Sequence, residues 1–97
     1  MKLEWDERKN RSNIRKHGFD FADAGELFAG PALFRADTRE DYGEERWLGV
    51  GVIRGRIVMI AFAIVREDTF RIISLRRATR NERNAYEKEI KNRLDSY

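Results

Sequence analysis

The sequence predicts one α+β domain, in which a small antiparallel sheet of about four strands carries two N-terminal helices and one C-terminal helix. Its length is the first observation, because 97 residues with 41% hydrophobic side chains are enough for one core and a single domain over 1–97. The second observation is the hydrophobic pattern. It has helical spacing before residue 30 and again from about 80. Between 33 and 77 the period changes: 46–53 alternates, and 56–65 is apolar on both faces, as expected of a central strand.

The first predicted helix spans 7–17 and follows KLEW (2–5), which is compatible with a short edge strand. Asp6 is its expected N-cap, and Gly18 is the expected left-handed residue at its end. Ile14 is the only large apolar residue in this helix. We therefore expect the helix to be held by one narrow contact and to present a basic face to solvent.

The second predicted helix has about ten residues and begins after Asp20, another candidate N-cap. Phe21, Leu27 and Phe28 fall on one stripe at helical spacing, so we expect them in the core. The Gly-Pro pair at 30–31 ends this helix, because proline cannot continue the hydrogen-bond ladder.

The strands and the last helix follow from turn and capping signals. Arg54-Gly55 is a tight hairpin turn between two apolar segments. Thr79 and Glu82 match the capping-box pattern, which predicts a final helix from about 80 to 95. The four strands are predicted at 33–38, 46–53, 56–65 and 69–77.

Several classes of site are excluded by composition. The chain has no cysteine and one histidine, so it has no disulfide framework, no thiolate metal site and no multi-histidine metal site. Glu44 and Glu45 are adjacent and diverge in a strand, so no metal or other cofactor is predicted. The N-terminus lacks the apolar core of a signal peptide, and the longest apolar run, IVMIAFAIV, is shorter than the about 20 residues of a membrane span. We expect a cytoplasmic protein without a membrane partner.

Charge is distributed unevenly along the chain. Residues 1–17 carry six basic and three acidic side chains, 18–53 carry three and eight, and 54–97 carry eleven and six. The three segments therefore have net charges of +3, −5 and +5. A polyanion such as RNA is a plausible partner for the basic ends, and ordinary variation of a charged surface is the alternative.

The only histidine, His17, stands at the predicted end of the first helix, beside Lys16. Imidazole groups titrate near neutral pH, so His17 is a candidate general acid or base. The structural alternative is that His17 caps the carbonyl groups at the helix end.

RIISLRRAT (71–79) contains the second candidate group, Arg76 and Arg77. The last helix begins near Arg80, and its N-terminus beside these arginines would favour a phosphate. The alternative is that the arginines pair with Glu44, Glu45 or Glu82. Strict alternation puts Phe70, Ile72, Ser74 and Arg76 on one face and Arg77 on the other, so both arginines reach one cleft only through a bulge or turn.

These residues suffice for RNA cleavage without a metal. The reaction needs a base for the 2′-hydroxyl proton, cations for the phosphorane, and an acid for the leaving 5′-oxygen. His17, Lys16, one of the two arginines and a carboxylate such as Glu45 can supply these functions.

Three segments together resemble the BrnT family of type II toxins: EWDERKNRSNIRKHGFDFADA (4–24), DYGEERWLGVG (41–51) and RIISLRRATRNERNAYE (71–87). The resemblance covers nearly the whole chain, and Leu75 is a modest departure, since the family usually has alanine there. It implies a fold like that of RelE-type toxins and metal-independent endoribonuclease activity that inhibits translation.

The resemblance also implies partners and site residues. The partner would be a BrnA-like antitoxin with a ribbon-helix-helix domain, and the complex would bind its own promoter, with DNA contacted only through the antitoxin. By motif, the catalytic candidates are Lys16, His17, Glu45, Arg76 and Arg77. The first helix would form one wall of an RNA groove, so the RNA-binding candidates are Arg8, Arg11, Arg15 and Arg80. The alternative function is a non-catalytic module that acts only as a co-repressor within the antitoxin–DNA complex.

Overall fold

Over the described residues, the fold is an α+β arrangement of three helices and one five-stranded sheet, and it confirms the predicted class. The computed structural model describes residues 1–95. The sheet order is β1-β5-β4-β3-β2, antiparallel throughout except for the parallel pair β1–β5. The elements are β1 (Lys2–Glu4), α1 (Glu7–His17), a 3₁₀ turn (Phe21–Asp23), α2 (Ala24–Ala29), β2 (Leu33–Ala36), β3 (Arg46–Ile53), β4 (Arg56–Arg66), β5 (Thr69–Arg77) and α3 (Arg80–Asp95).

The sheet has five strands rather than about four, because the short N-terminal segment joins it. Lys2–Glu4 pairs in parallel with Thr69–Arg71 and covers only the first part of the outer edge of β5. The predicted second helix is divided into the 3₁₀ turn and a six-residue α2. β2 ends at Ala36 rather than residue 38, because the Asp37 side chain turns back to bind Arg39.

α1 has the predicted bounds and caps. The Asp6 carboxylate accepts a hydrogen bond from the Lys9 backbone N–H, and Gly18 ends the helix with φ = 76°. The expectation that Ile14 anchors this helix is wrong, because its side chain is 40% exposed. The buried residues of α1 are two asparagines one turn apart, Asn10 and Asn13.

Both asparagines form hydrogen bonds with main-chain groups that have no hydrogen-bond partner within a helix or between strands. The Asn13 amide nitrogen donates to the Leu75 and Phe19 carbonyl oxygens, each at 2.9 Å, and its oxygen accepts from the Leu75 N–H at 3.1 Å. Asn13 therefore binds the free edge of β5 beyond β1, as a neighbouring strand would. Asn10 accepts from the Phe21 N–H and donates to Asp20, which holds the loop after α1.

The core lies between the sheet and the layer formed by α1, the 3₁₀ turn and α2. The expected core residues Phe21 and Leu27 are fully buried there, while Phe28 is half-buried and packs edge-on against Phe62. Gly51 makes room for this layer, since a Cβ at that position would lie 2.8 Å from Leu27 Cγ. A glycine is thus required where α2 approaches β3.

A bulge in β5 changes the predicted faces of that strand. Ala61 pairs with Ser74 and Phe62 pairs with Ile72, so Ile73 is an extra residue. As a result Ile72 and Leu75 both face the core, and Ser74 and Arg76 lie on the opposite face. The prediction that Ile72 shares a face with Ser74 and Arg76 is wrong, because strict alternation ignores the extra residue.

α3 is attached mainly through its first two turns. Thr79 and Glu82 form the predicted capping box, and the buried Tyr86 donates a hydrogen bond to the Pro31 carbonyl. Beyond this point the helix is largely exposed, and Leu94 has 69% of its surface accessible. Across residues 1–95 the helices are too short or too polar to cross a membrane.

Candidate functional site

The C-terminal half of α1 and the bulge of β5 enclose a shallow depression of about 220 Å³. Lys16 and His17 line its helical side, and Ile73 and Ser74 line its strand side. Both Lys16 and His17 are exposed, so their functional groups are accessible to a ligand. Asn13 lies at the bottom of this depression and fixes α1 to β5, which sets the position of the two candidate residues.

A second depression, of about 200 Å³, lies on the other side of Ser74, on the sheet face opposite the core. Its floor is formed by apolar side chains of β3 and β4, including Leu48, Met59 and Ala61. Three arginines surround it: Arg35, Arg39 and Arg76. We call it the arginine cleft. Ser74 lines both depressions, so the arginine cleft adjoins the Lys16–His17 depression.

Arg76 is held by Glu82 in a two-pronged ion pair. Two guanidinium nitrogens of Arg76 each lie 2.8 Å from a carboxylate oxygen of Glu82. The ion pair with Arg76 is the main cause that lowers the pKa of Glu82 to about 2, and the same contact raises the pKa of Arg76. Glu82 also accepts the Thr79 N–H, so the start of α3 fixes the direction of the guanidinium group.

Arg77 lies apart from Arg76. It lines a different depression, with Arg56, Arg83 and Glu87, at the hairpin end of the sheet. The side chains of Arg76 and Arg77 point to opposite faces of β5, and the bulge precedes both residues, so it does not bring them together. The predicted single site containing residues 16–17 and both arginines is therefore corrected: Arg76 adjoins the Lys16–His17 depression and Arg77 does not.

Glu45 also lies outside the two depressions. Its carboxylate accepts a hydrogen bond from Trp47 Nε1 at 3.1 Å, and its carbonyl accepts from the Ile64 N–H. It precedes Leu48 by three positions, or about 10 Å of strand. The structure therefore does not bring the candidate Glu45 into either depression with Lys16, His17 or Arg76.

The four RNA-binding candidates are exposed basic side chains at two places. Arg8, Arg11 and Arg15 lie along α1, and Arg80 is the first residue of α3. In the part of the chain that the structure describes, none of the four forms an ion pair within 4 Å. Within the same part, no group of three His, Cys, Asp or Glu side chains is arranged to hold a metal ion.

Comparison with known proteins identifies a family and a similar solved structure. Residues 5–82 match the family described as the ribonuclease toxin BrnT of type II toxin-antitoxin systems. The crystal structure of the Brucella abortus ribonuclease toxin BrnT, at 1.1 Å resolution, is 36% identical in sequence, with a TM-score of 0.67. The similarity covers 82% of this chain and 99% of that chain.

The chain belongs to the BrnT family of ribonuclease toxins. The resemblance of the three sequence segments is thus confirmed, and with it the α+β fold and the class of a type II toxin. A comparison with curated protein sequences gives no match.

Sequence reasoning missed four residues that shape the two depressions of this BrnT-family toxin. Asn13 and Ser74 were not predicted because uncharged polar residues are common on exposed surfaces. The available signal for Asn13 was that Asn10 and Asn13 share one face of a helix that has a single large apolar residue. Arg35 and Arg39 were missed because their segment is far from residue 76 in the chain. The strand register brings Arg35 to the cleft, and Arg39 follows the end of the same strand.

Proposed function

We propose that this BrnT-family toxin is a metal-independent endoribonuclease that cleaves at the junction of the Lys16–His17 depression and the arginine cleft. One observation carries the proposal: in a ribonuclease family, the only imidazole, a lysine and a guanidinium group lie around one half-buried serine, Ser74. These groups match the requirements of phosphodiester transfer to a 2′-hydroxyl.

The reaction would proceed as follows. A base, His17 or Lys16, removes the proton of the 2′-hydroxyl, whose oxygen attacks the adjacent phosphorus. The bond from phosphorus to the 5′-oxygen breaks, and an acid from the same pair protonates that oxygen. The products are a 2′,3′-cyclic phosphate and a 5′-hydroxyl end. Arg76, oriented by Glu82, stabilises the charge of the phosphorane.

The exposed arginines of α1 and Arg80 of α3 would guide the RNA strand to this junction. Arg8, Arg11 and Arg15 are accessible to phosphates, because none of them forms an ion pair with another residue in 1–95. Cations along the path of a polyanion increase both the rate of association and its salt dependence.

The partner would be a BrnA-like ribbon-helix-helix antitoxin in the cytoplasm. Type II systems pair a toxin with a protein antitoxin, which supports a protein partner for this chain. The complex would repress its own promoter, with the antitoxin making the DNA contacts. We assign the acidic side chains of segment 18–53, whose net charge is −5, to the contact with a basic antitoxin.

The test is an RNA cleavage assay in excess EDTA with the wild type, His17→Ala, Lys16→Ala and the control Lys91→Ala. Lys91 is an exposed helical lysine far along α3, so its loss should leave cleavage unchanged. We expect the wild type and the control to cleave RNA. Neither should cleave the same strand when every ribose lacks the 2′-hydroxyl. His17→Ala and Lys16→Ala should lose most activity while keeping the wild-type melting temperature.

Three outcomes would change the proposal. Equal cleavage by wild type and His17→Ala would remove the imidazole from the chemistry. Loss of wild-type cleavage in EDTA, restored by a divalent cation, would refute the metal-free mechanism. A wild type that neither cleaves RNA nor stops growth, yet binds promoter DNA with its antitoxin, would favour the co-repressor alternative.

A further inference from the structure

The arginine cleft brings together three like charges from two separate segments of the chain. Arg35 lies on β2, Arg39 follows that strand, and Arg76 lies on β5. The charge of Arg39 acts on Arg76 to disfavour its protonated form, so the two guanidinium groups repel each other. Such a convergence costs free energy in the unliganded protein, and an anion in the cleft would offset that cost.

The carboxylates in this region orient the arginines but leave a net positive charge. Asp37 binds Arg39 through two hydrogen bonds of 2.8 Å, and its side chain is only 2% exposed while that of Arg39 is 68% exposed. Glu82 holds Arg76 in the same two-pronged way. Arg35 forms no ion pair within residues 1–95, so three guanidinium groups face two carboxylates.

The bound arginines keep hydrogen-bond donors for a ligand. A guanidinium group has five N–H donors, and a two-pronged ion pair uses two of them. Asp37 binds two of the Arg39 donors and Tyr42 also hydrogen-bonds with this side chain, so two Arg39 donors are left for a ligand, held at a fixed position. Arg35 forms no ion pair within residues 1–95, so its donors face the cleft unpaired. Fixed donors lose little side-chain entropy when a phosphate binds, which favours tight and directional contacts.

The strand register connects this cleft to the proposed cleavage point. Arg35, Leu48, Ala61 and Ser74 are successive partners across β2, β3, β4 and β5. With strands about 4.8 Å apart, this row spans about 14 Å from Arg35 to Ser74. Its middle is apolar, so an extended strand of RNA can lie across it with phosphates at both ends.

We infer that Arg35 and Arg39 form a second phosphate subsite for single-stranded RNA, next to the phosphate cleaved near Ser74. This inference rests on the proposed function and names the path of the substrate through the same site. Arg35 and Arg39 act as binding residues: they hold a neighbouring phosphate and do not touch the reacting atoms. Their loss therefore raises KM and leaves kcat nearly unchanged.

The experiment measures binding of an RNA with 2′-O-methyl groups at every position, which cannot be cleaved, to wild type, Arg35→Ala, Arg39→Ala and Arg93→Ala. Arg93 is the matched control, because it is an exposed arginine that forms an ion pair with Glu89 on α3. We expect each cleft variant to weaken binding roughly tenfold and to reduce the salt slope of log Kd by about 0.7, the value for one lost phosphate contact on a single strand. Arg93→Ala should match the wild type.

Arg39→Ala removes the guanidinium group that pairs with the buried Asp37, so the melting temperature of each variant is measured first. If Arg39→Ala is unfolded, Arg35→Ala alone decides. If Arg35→Ala binds RNA with wild-type affinity and salt slope while the wild type cleaves RNA, the subsite is wrong and the proposed function stands. If the wild type neither binds nor cleaves RNA, both proposals are wrong. A fall in kcat with KM unchanged would also overturn the subsite, since it would place Arg35 at the reacting phosphate.

Discussion

Replacing Asn13 with alanine should destabilise the domain far more than replacing its neighbour Ile14 with alanine. Asn13 is 6% exposed and makes three hydrogen bonds to main-chain groups of Leu75 and Phe19. Ile14 is 40% exposed, although it is the more hydrophobic residue. The two substitutions therefore compare a buried polar contact with a partly exposed apolar one on the same turn of α1.

The magnitude follows from the groups that are left without partners. Three hydrogen bonds at about 1 kcal/mol each give about 3 kcal/mol, and the orphaned Leu75 N–H adds about 1 kcal/mol. The better helix propensity of alanine returns about 0.6 kcal/mol. The net loss is thus about 3 kcal/mol, a large part of the 5–15 kcal/mol by which small domains are stable. Ile14→Ala should cost about 1 kcal/mol or less, because much of its side chain already contacts water.

The assay is urea unfolding followed by circular dichroism at pH 7. For a domain of this size, a loss of about 3 kcal/mol lowers the melting temperature by roughly 12–24 °C. Asn13→Asp is a second variant of nearly the same size. It keeps the acceptor for Leu75 N–H but loses both donors, so it should be at least as unstable as Asn13→Ala. The reasoning is refuted if Ile14→Ala costs as much free energy of unfolding as Asn13→Ala.

Three further predictions address packing, pH and the partner. Gly51→Ala should lower the free energy of unfolding by about 1–3 kcal/mol, because its Cβ would lie 2.8 Å from Leu27 Cγ. Gly25→Ala should instead stabilise α2 by about 0.5–1 kcal/mol, since the nearest atom to its Cβ would be 3.9 Å away. Equal melting temperatures for these two variants would contradict the packing argument. The pKa of Glu82 falls from 4.5 to about 2 on folding, so its ion pair with Arg76 stabilises the protein fully above about pH 4.5, and this contribution is lost as the pH falls through 2. Glu82→Gln should therefore lose less stability than the wild type between pH 5 and pH 2, and parallel stability curves would contradict this. The acidic segment 18–53 predicts that the complex with a basic antitoxin weakens from low salt to about 1 M NaCl, and a Kd independent of salt would rule out that surface.

The sequence by itself determined the local elements. Asp6 and Gly18 bound α1, and Thr79 with Glu82 begins α3, because capping depends on hydrogen bonds between residues three or four positions apart. The alternation of 46–53, the apolar segment 56–65 and the short turns between them predicted the antiparallel strands, because strand periodicity and tight turns are also local. The family was also readable, since its motifs are continuous segments of the chain.

Only the tertiary structure decided how these elements meet. The parallel pairing of β1 with β5 joins residues that are 67 positions apart, and Asn13 meets Leu75 across 62 positions. No local pattern encodes such contacts, because they depend on the register of the whole sheet and on the packing of α1 against its edge.

The candidate site shows the same division. Lys16, His17 and Arg76 were found from residue type and motif, and the structure adds that they lie around Ser74. Arg77 is separated from Arg76 because neighbouring residues of β5 point to opposite faces of the sheet. Arg35 reaches the cleft through three successive strand pairings, and each pairing is set by long-range hydrogen bonds that a one-dimensional pattern does not contain.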